Sequence, residues 1–259
     1  LSNKFHLPTH KRIVEAEILL KEGEPFNWDV AYETERNLRH RLALYDARVT
    51  PRRLPDGRLL VEIITIDVWS LSSGLNVHRE GGETDYDFST EERNFLGMNQ
   101  FVTLHFTKPA HEKAHISSSF RDIRFAGKPI AVDASWSNGS IHNYSRLSVS
   151  HPFYALSQKV SASFFLAKDG GRFDRYSDST LMGQSWYIAN LFSIKGAYRF
   201  GSGSRKLSAW TAYTYNDEKK TRTLIYSASG SDSVAVLHSL PQDSLYYLLG
   251  IGVGLSDER

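Results

Sequence analysis

The chain has 259 residues, enough for one large domain or for a small domain joined to a larger one. Its 31 basic and 29 acidic residues leave a formal net charge of +2, which excludes the strong one-signed field of a nucleic-acid binder. Cysteine is absent, so disulfides and thiolate metal sites are ruled out, while 13 Tyr, 14 Phe and 5 Trp supply rings that suit strands and membrane interfaces alike. The longest apolar run, near Tyr246 to Leu255, falls far short of the ~18 residues of a membrane helix. Leu1 to Phe5 also lacks the charged-then-apolar order of a signal peptide.

Residues 1 to 70 carry the helix signals. A short strand fits Lys4 to Leu7. Thr9 is a suitable N-cap, and Ile13, Ala16 and Leu20 with Val14 and Ile18 form an apolar stripe at helical spacing, stopped by Gly23. Asn27 caps a second helix that runs to about Leu42, with Val30, Ala31, Leu38 and Leu42 facing inward. Two strands follow, Ala47 to Leu54 and Arg58 to Val68, joined by the turn Pro55-Asp56-Gly57. The order predicts a small α+β domain.

From Leu71 onward apolar and polar residues alternate, segment after segment. Roughly eleven strands can be read: Leu71 to Arg79, Thr84 to Glu92, Gln100 to Thr107, His115 to Ile123, Ile130 to Ser137, Tyr144 to Ser150, Gln158 to Lys168, Trp186 to Phe200, Lys206 to Asn216, Arg222 to Leu237 and Leu245 to Leu255. Successive side chains of a strand face opposite ways. One face therefore holds Val102, Leu104, Phe106, Val132, Trp136, Val160 and Phe164; the other holds Thr103, Asp133 and Ser161. Lys195 and Arg199 join Asp133 on the polar face, where charges pair with one another or line a pore. In the last segment Gly250, Gly252 and Gly254 alternate with large apolar residues, as suits a filled interior. This pattern predicts a mainly β chain: an antiparallel transmembrane β-barrel over 71–259, incomplete at its C-terminus, after the small domain of 1–70.

The connections support that reading. The alternate set Asn94 to Asn99, Arg124 to Pro129, His151 to Ser157, Gly201 to Arg205 and Ser239 to Ser244 is compact, and the opposite set contains the longest polar loop, Asp169 to Gly183. Barrels place short turns on one side and longer loops on the other. Two motifs are decoys. His111-Glu-Lys-Ala-His115 has the letters of a zinc-peptidase site, but that chemistry needs both imidazoles on one helical face, and Pro109 before it and the alternating Ile116 to Phe120 after it leave no helix. Gly201-Ser-Gly-Ser-Arg-Lys206 lacks phosphate-loop spacing and a following helix. Neither a cofactor site nor a catalytic constellation can be assembled, so no enzyme is expected.

The stretches Glu17 to Phe26, Glu35-Arg-Asn-Leu38, Tyr45-Asp-Ala-Arg-Val49 and Asp67-Val-Trp-Ser-Leu71, in this order and followed by turns at Asn94, Asp122 and Pro152, resemble segments of the BamA/TamA family of outer-membrane proteins. Glu17 to Phe26, Glu35-Arg-Asn-Leu38 and Tyr45-Asp-Ala-Arg-Val49 look like its periplasmic POTRA module, and Asp67-Val-Trp-Ser-Leu71 looks like the passage into its barrel. Turn residues are similar too: Asn94, Leu96 and Gly97 in the first turn, Asp122 and Gly127 in the second, Pro152, Phe153 and Tyr154 in the third. The resemblance implies a bacterial outer-membrane location with residues 1–70 in the periplasm. It implies assembly, insertion or translocation of other proteins, without nucleotide or metal. The implied gate strand is Leu71, Ser72, Ser73, Gly74, Leu75, Asn76, Val77, His78 and Arg79, with Ser72, Ser73 and Gly74 poor strand formers. Implied partners are outer-membrane lipid, a client or secreted polypeptide, and periplasmic proteins reached through the N-terminal domain; nucleic acid is not among them. A dedicated secretion or transport pore, or the anchor of a fused hydrolase, are the alternatives. Family barrels have more strands than the eleven read here, and single-chain bacterial barrels have an even number. The chain is therefore expected to be a fragment that aggregates or stays unfolded in detergent.

Overall fold

The computed structural model describes residues 7–110, 113–155, 157–177, 180–201, 205–226 and 243–257. It opens with two helices, α1 (Lys11–Glu15) and α2 (Trp28–Arg41), followed by strands β1 (Leu44–Arg53) and β2 (Leu59–Asp67). Asn27 caps α2 as expected, its side-chain oxygen accepting from the Asp29 amide at 2.8 Å. Gly57, at φ 85°, makes the predicted turn of the hairpin. The first helix is shorter than the apolar stripe predicts. It starts after His10, because the Thr9 hydroxyl is engaged by Asp67, and stops at Glu15. Beyond it the Glu17 carboxylate is drawn to Arg124, and the Leu19 amide bonds to Thr34 Oγ1 at 3.2 Å instead of continuing a helical ladder. Residues 1–6, most of the expected first strand, lie outside the described residues, and Leu7 is not in a strand.

A small core joins this N-terminal unit to the large sheet. Ile13, Leu38, Leu42, Leu44 and Ala47 are buried together, and Met98 and Ile123, from turns of the sheet, pack against them. Burying a side chain of this kind is worth roughly 1.5–3 kcal/mol.

The remainder is one antiparallel sheet of ten strands in simple sequence order. They are β3 (Leu71–Glu80), β4 (Glu83–Phe95), β5 (Gln100–Lys108), β6 (His115–Asp122), β7 (Ala131–Asn138), β8 (His142–His151), β9 (Val160–Ser177), β10 (Thr180–Phe200), β11 (Arg205–Ile225) and β12 (Ser244–Asp257). The sheet is open: β3 and β12 share no ladder, so closure is not observed. Three expectations are corrected. The segment Asp169 to Gly183 is chiefly paired strand, since the β9–β10 ladder continues from Lys168↔Asn190 up to Thr180↔Ser177. Polar residues hold it there, with Gln184 Nε2 donating to Asp174 at 3.0 Å and Arg172 pairing with the same carboxylate. Arg222 to Ile225 is the end of β11, so the described residues hold ten strands of this sheet where eleven were read for the chain; 227–237 of the expected strand lies outside the described residues. Ser244, which opens β12 opposite Glu218, accordingly lies at the side opposite the other four compact turns, and 239–242 of that expected turn lie outside the described residues. No described helix is long and apolar enough to cross a membrane.

Directly paired residues share a face, so the register sorts the side chains. Val102, Phe120, Ala134, Leu147, Leu166, Phe192, Tyr215 and Tyr247 are successive partners across eight strands. Val132, Val149, Phe164, Ile194, Tyr213 and Leu249 form the adjacent row. On the opposite face Ser89, His105, Ser117, Ser137, Tyr144 and Asp169 make one row, and Arg121, Asp133 and Ser148 belong to another. The predicted split of the strands into an apolar and a polar face is thus met residue by residue.

Candidate functional site

The expected gate strand is β3. Its ten residues pair with β4 from Leu71↔Glu92 to Glu80↔Glu83, and all ten are exposed. Pairing on the β4 side runs the full length of the strand: Ser73 Oγ and Thr90 Oγ1 lie 2.9 Å apart, and Gly74 sits opposite Ser89. The other edge of β3 has no ladder partner among the described residues. Such an edge is a row of N–H and C=O groups ready to pair with another extended chain.

The three turns singled out in the sequence meet at one place, against the N-terminal unit. In the first, the Asn94 side chain donates to Leu7 O at 3.2 Å and Thr9 Oγ1 at 3.0 Å, and Gly97 O accepts from the His10 amide at 2.9 Å. Gly97 is required there: its φ is 68°, and a Cβ would sit 2.6 Å from Pro8 O. Leu96 shares the left-handed backbone, at φ 54°, and is exposed. In the second turn Asp122 accepts from the Arg124 amide at 2.8 Å and Gln100 Nε2 at 2.9 Å, and Gly127 turns the chain at φ 73°. In the third, Pro152 O accepts from Gln158 at 3.1 Å, and the Phe153 and Tyr154 carbonyls accept from Arg41 at 3.2 and 2.7 Å.

At the centre of this meeting is Glu17, whose side chain has no exposed surface. Arg124 holds its carboxylate with two hydrogen bonds of 2.6 and 3.0 Å, and Arg41 approaches from the other side at 3.9 Å. Both guanidinium groups stand over the buried Tyr154 ring, at 4.6 Å for Arg41 and 4.5 Å for Arg124. The Tyr154 hydroxyl donates to Ile123 O at 2.6 Å. Burial lowers the Arg41 pKa from its ordinary value against the opposing pull of Glu17. For Arg124 burial acts in the same direction, but the hydrogen bonds it donates to the Glu17 carboxylate oppose it and its pKa is raised. Burial raises the Tyr154 hydroxyl, which keeps the phenol neutral beneath the two guanidinium groups. Glu17, Arg41, Arg124 and Asn99 were not singled out from the sequence; Asn99 accepts from the Ala43 amide at 2.9 Å and donates to Arg41 O at 3.0 Å. The only local sign was a carboxylate beside the apolar Ile18-Leu19-Leu20, and its partner is 107 residues away.

The polar-face charges pair differently from expectation. Asp133 is bonded by Arg121, its direct cross-strand partner, not by Lys195 or Arg199. Lys195 lies 4.7 Å above the Trp210 ring and Arg199 3.9 Å from that of Phe153. Trp210 also explains the glycine column of β12: a Cβ at Gly252 would lie 2.5 Å from the indole, and one at Gly250 3.0 Å. The filling expected inside the sheet is, at this point, an indole. His115 opens β6, with Nε2 2.6 Å from Ser137 Oγ, while His111 lies outside the described residues.

No protein-family model and no curated protein matches the chain. Among solved structures, BamA from Haemophilus ducreyi lacking POTRA domains 1–3 is similar at a TM-score of 0.47 and 9% sequence identity. The match covers 85% of this chain and 54% of that one, so the chain spans about half the length of that structure.

Proposed function

We propose that this chain is the wall-and-gate portion of a bacterial outer-membrane protein that inserts or translocates other polypeptides, in the manner of the BamA/TamA family. Residues 1–70 are its POTRA-like periplasmic unit, and 71–259 is part of its barrel. The observation that carries the reading is the uncovered apolar face of the ten-stranded sheet. Leu249, Ile251, Val253 and Leu255 are 78%, 80%, 71% and 87% exposed, and the row from Val102 to Tyr247 continues their face across eight strands. Water-soluble proteins seldom leave apolar patches above a few hundred Å² uncovered. A bilayer removes that cost. Along β10 the apolar face runs from Phe192 to Phe200, about 27 Å at ~3.4 Å per residue. At a ~40° tilt this is about 20 Å of height, near the ~25 Å band of outer-membrane barrels.

The mechanism is strand addition without chemistry. An extended client segment pairs with the free edge of β3, gaining backbone hydrogen bonds while its apolar side chains meet lipid. No cofactor, metal or nucleic acid takes part. The docked turns hold the base of the gate relative to the periplasmic unit. The test is insertion of an unfolded outer-membrane barrel into liposomes containing this protein, with a photo-crosslinking residue at Asn76 on the β3 edge. Accelerated insertion with a crosslink to the client is expected. Unchanged insertion together with no crosslink overturns the proposal. The hydroxyl-rich polar face keeps a secretion pore as the second reading, which ion conductance across a planar bilayer would favour.

A further inference from the structure

The apolar face ends at a defined row. One row beyond Leu147, Leu166, Phe192 and Tyr215, the partners become Trp136, Ser145, Lys168, Asn190 and Asp217. Four strands thus pass together from aliphatic and aromatic side chains to a hydroxyl, an amine, an amide and a carboxylate. Residues of both rows, among them Leu166, Lys168, Asn190, Phe192 and Tyr215, line a groove of about 520 Å³.

The charges on this side of the sheet are not equivalent. Asp217 is held by Lys219 at 3.1 Å. Higher up, Arg172 is paired with Asp174, and the Arg222 guanidinium lies 5.1 Å from the Trp186 ring. Asp169, next to Lys168 in sequence, points to the other face, where it holds Arg146 at 2.8 Å and faces His142 at 3.5 Å. Lys168 is exposed and has neither a carboxylate nor a hydrogen-bond partner among the described residues. An ammonium with no counter-ion, set where an apolar surface begins, matches one class of ligand by charge and by shape. That ligand carries an anionic head level with Lys168 and an acyl chain lying down the Leu166–Phe192–Tyr215 row.

We infer that Lys168, with Asn190 and Ser145, forms a binding site for a phosphate-bearing lipid on the apolar face of the sheet. The phosphate accepts hydrogen bonds from the Lys168 ammonium and the Asn190 amide, and one acyl chain fills the groove below. The inference rests on the membrane reading above and adds a lipid preference to it. It places the site at the end of the sheet away from the docked N-terminal unit, so the bound lipid belongs to the leaflet farther from that unit.

Trp136 provides the readout. It is 42% exposed and stands in the same row as Lys168, two strands away, about 10 Å at ~4.8 Å per strand. The protein is placed in phosphatidylcholine bilayers carrying a small fraction of either brominated phosphatidylglycerol or brominated phosphatidylcholine. The Trp136 signal is the difference between the chain and its Trp136→Phe variant. Brominated phosphatidylglycerol is expected to be enriched roughly five-fold around Trp136, the factor equivalent to about 1 kcal/mol per lysine at an anionic surface. Lys168→Gln should abolish that preference, Lys168→Arg should keep it, and Asn190→Lys should increase it. Equal quenching by the two lipids, or a preference that survives Lys168→Gln, overturns this inference and leaves the membrane reading intact. Quenching by neither lipid overturns the membrane reading, and this inference with it.

Discussion

Replacing Glu17 by Ala removes the only carboxylate, among the described residues, paired with the Arg124 and Arg41 guanidinium groups at the docked turns. Arg124 and Arg41 are 13% and 23% exposed, so two largely desolvated cations are left facing each other across Tyr154. Breaking a buried pair by removing one partner costs about 3–5 kcal/mol. Water already reaches part of Arg41, so the lower end applies, about 3 kcal/mol, or roughly 150-fold in the ratio of docked to undocked N-terminal unit. Glu17→Gln keeps the shape and a hydrogen-bond acceptor and should fall between wild type and Ala. The measurement is the distance between spin labels at the exposed positions 48 and 128, one on β1 and one in the second turn. A single narrow distribution is expected for the native chain and a broadened one for Glu17→Ala. Urea titration of the single and double variants with Arg124→Ala should give a coupling of about 1–3 kcal/mol, the range for residues in one charged network. A narrow distribution in Glu17→Ala, with Glu17 and Arg124 effects adding to within ~0.5 kcal/mol, would show that this pair does not dock the unit.

Gly252→Val should destabilise the sheet by about 1–3 kcal/mol through overpacking against the indole, and Trp210→Ala in the same chain should recover most of the loss; heat-dependent electrophoretic migration reads both. An Arg at Val132, the first residue of its apolar row, should cost up to about 2–4 kcal/mol in a bilayer, and single cysteines at Val132 and Phe164 should react with a lipid-phase probe while one at Asp133 reacts with an aqueous probe. Swapped labelling would invert the proposed orientation. Metal analysis should find no stoichiometric zinc; zinc that disappears on His111→Ala would refute the decoy reading of that motif.

What the sequence made legible is what depends on one residue and its near neighbours. Alternation at period two located the strands and sorted Val102, Val132 and Phe164 from Thr103, Asp133 and Ser161, because a strand offers only two directions. Turn chemistry located Gly57, at φ 85°, because few residues adopt that backbone. The failures share one cause. The α1 stripe predicts three turns of helix, but a carboxylate drawn to Arg124 ends it after Glu15. Asp169 to Gly183 lacks alternation because that part of the ladder lies beyond the apolar row, where backbone pairing persists without an apolar face to bury. Glu17, Arg41, Arg124 and Tyr154 come from distant segments, and no local pattern marks residues whose common feature is their meeting point.

The docking node and the free edge are continuous, and this predicts how the edge opens. β2 passes into β3 through Val68 to Ser70, which is tied at both sides: the Val68 amide bonds to Ala43 O at 3.2 Å and the Arg93 amide to Ser70 O at 3.1 Å. Asp67 accepts from the Thr9 amide at 3.1 Å, and Thr9 in turn accepts from Asn94 at 3.0 Å. The Leu71 end of β3 is therefore anchored to the N-terminal unit. The Glu80 end is not. There β4 meets β5 only from Tyr86 onward, leaving 79–85 as a two-stranded tip around Gly81 and Gly82. At that tip Glu80, which His78 Nε2 approaches at 3.4 Å, stands directly opposite Glu83. The edge should consequently fray from its tip, so that in the strand addition proposed above an added strand enters at Val77 to Glu80 and zips toward Leu71. Native-state hydrogen exchange should show β4 amides near Asp85 exchanging well before those near Glu91. Uniform protection along the hairpin, or faster exchange at the Leu71 end, would mean that the anchor does not set the direction of opening.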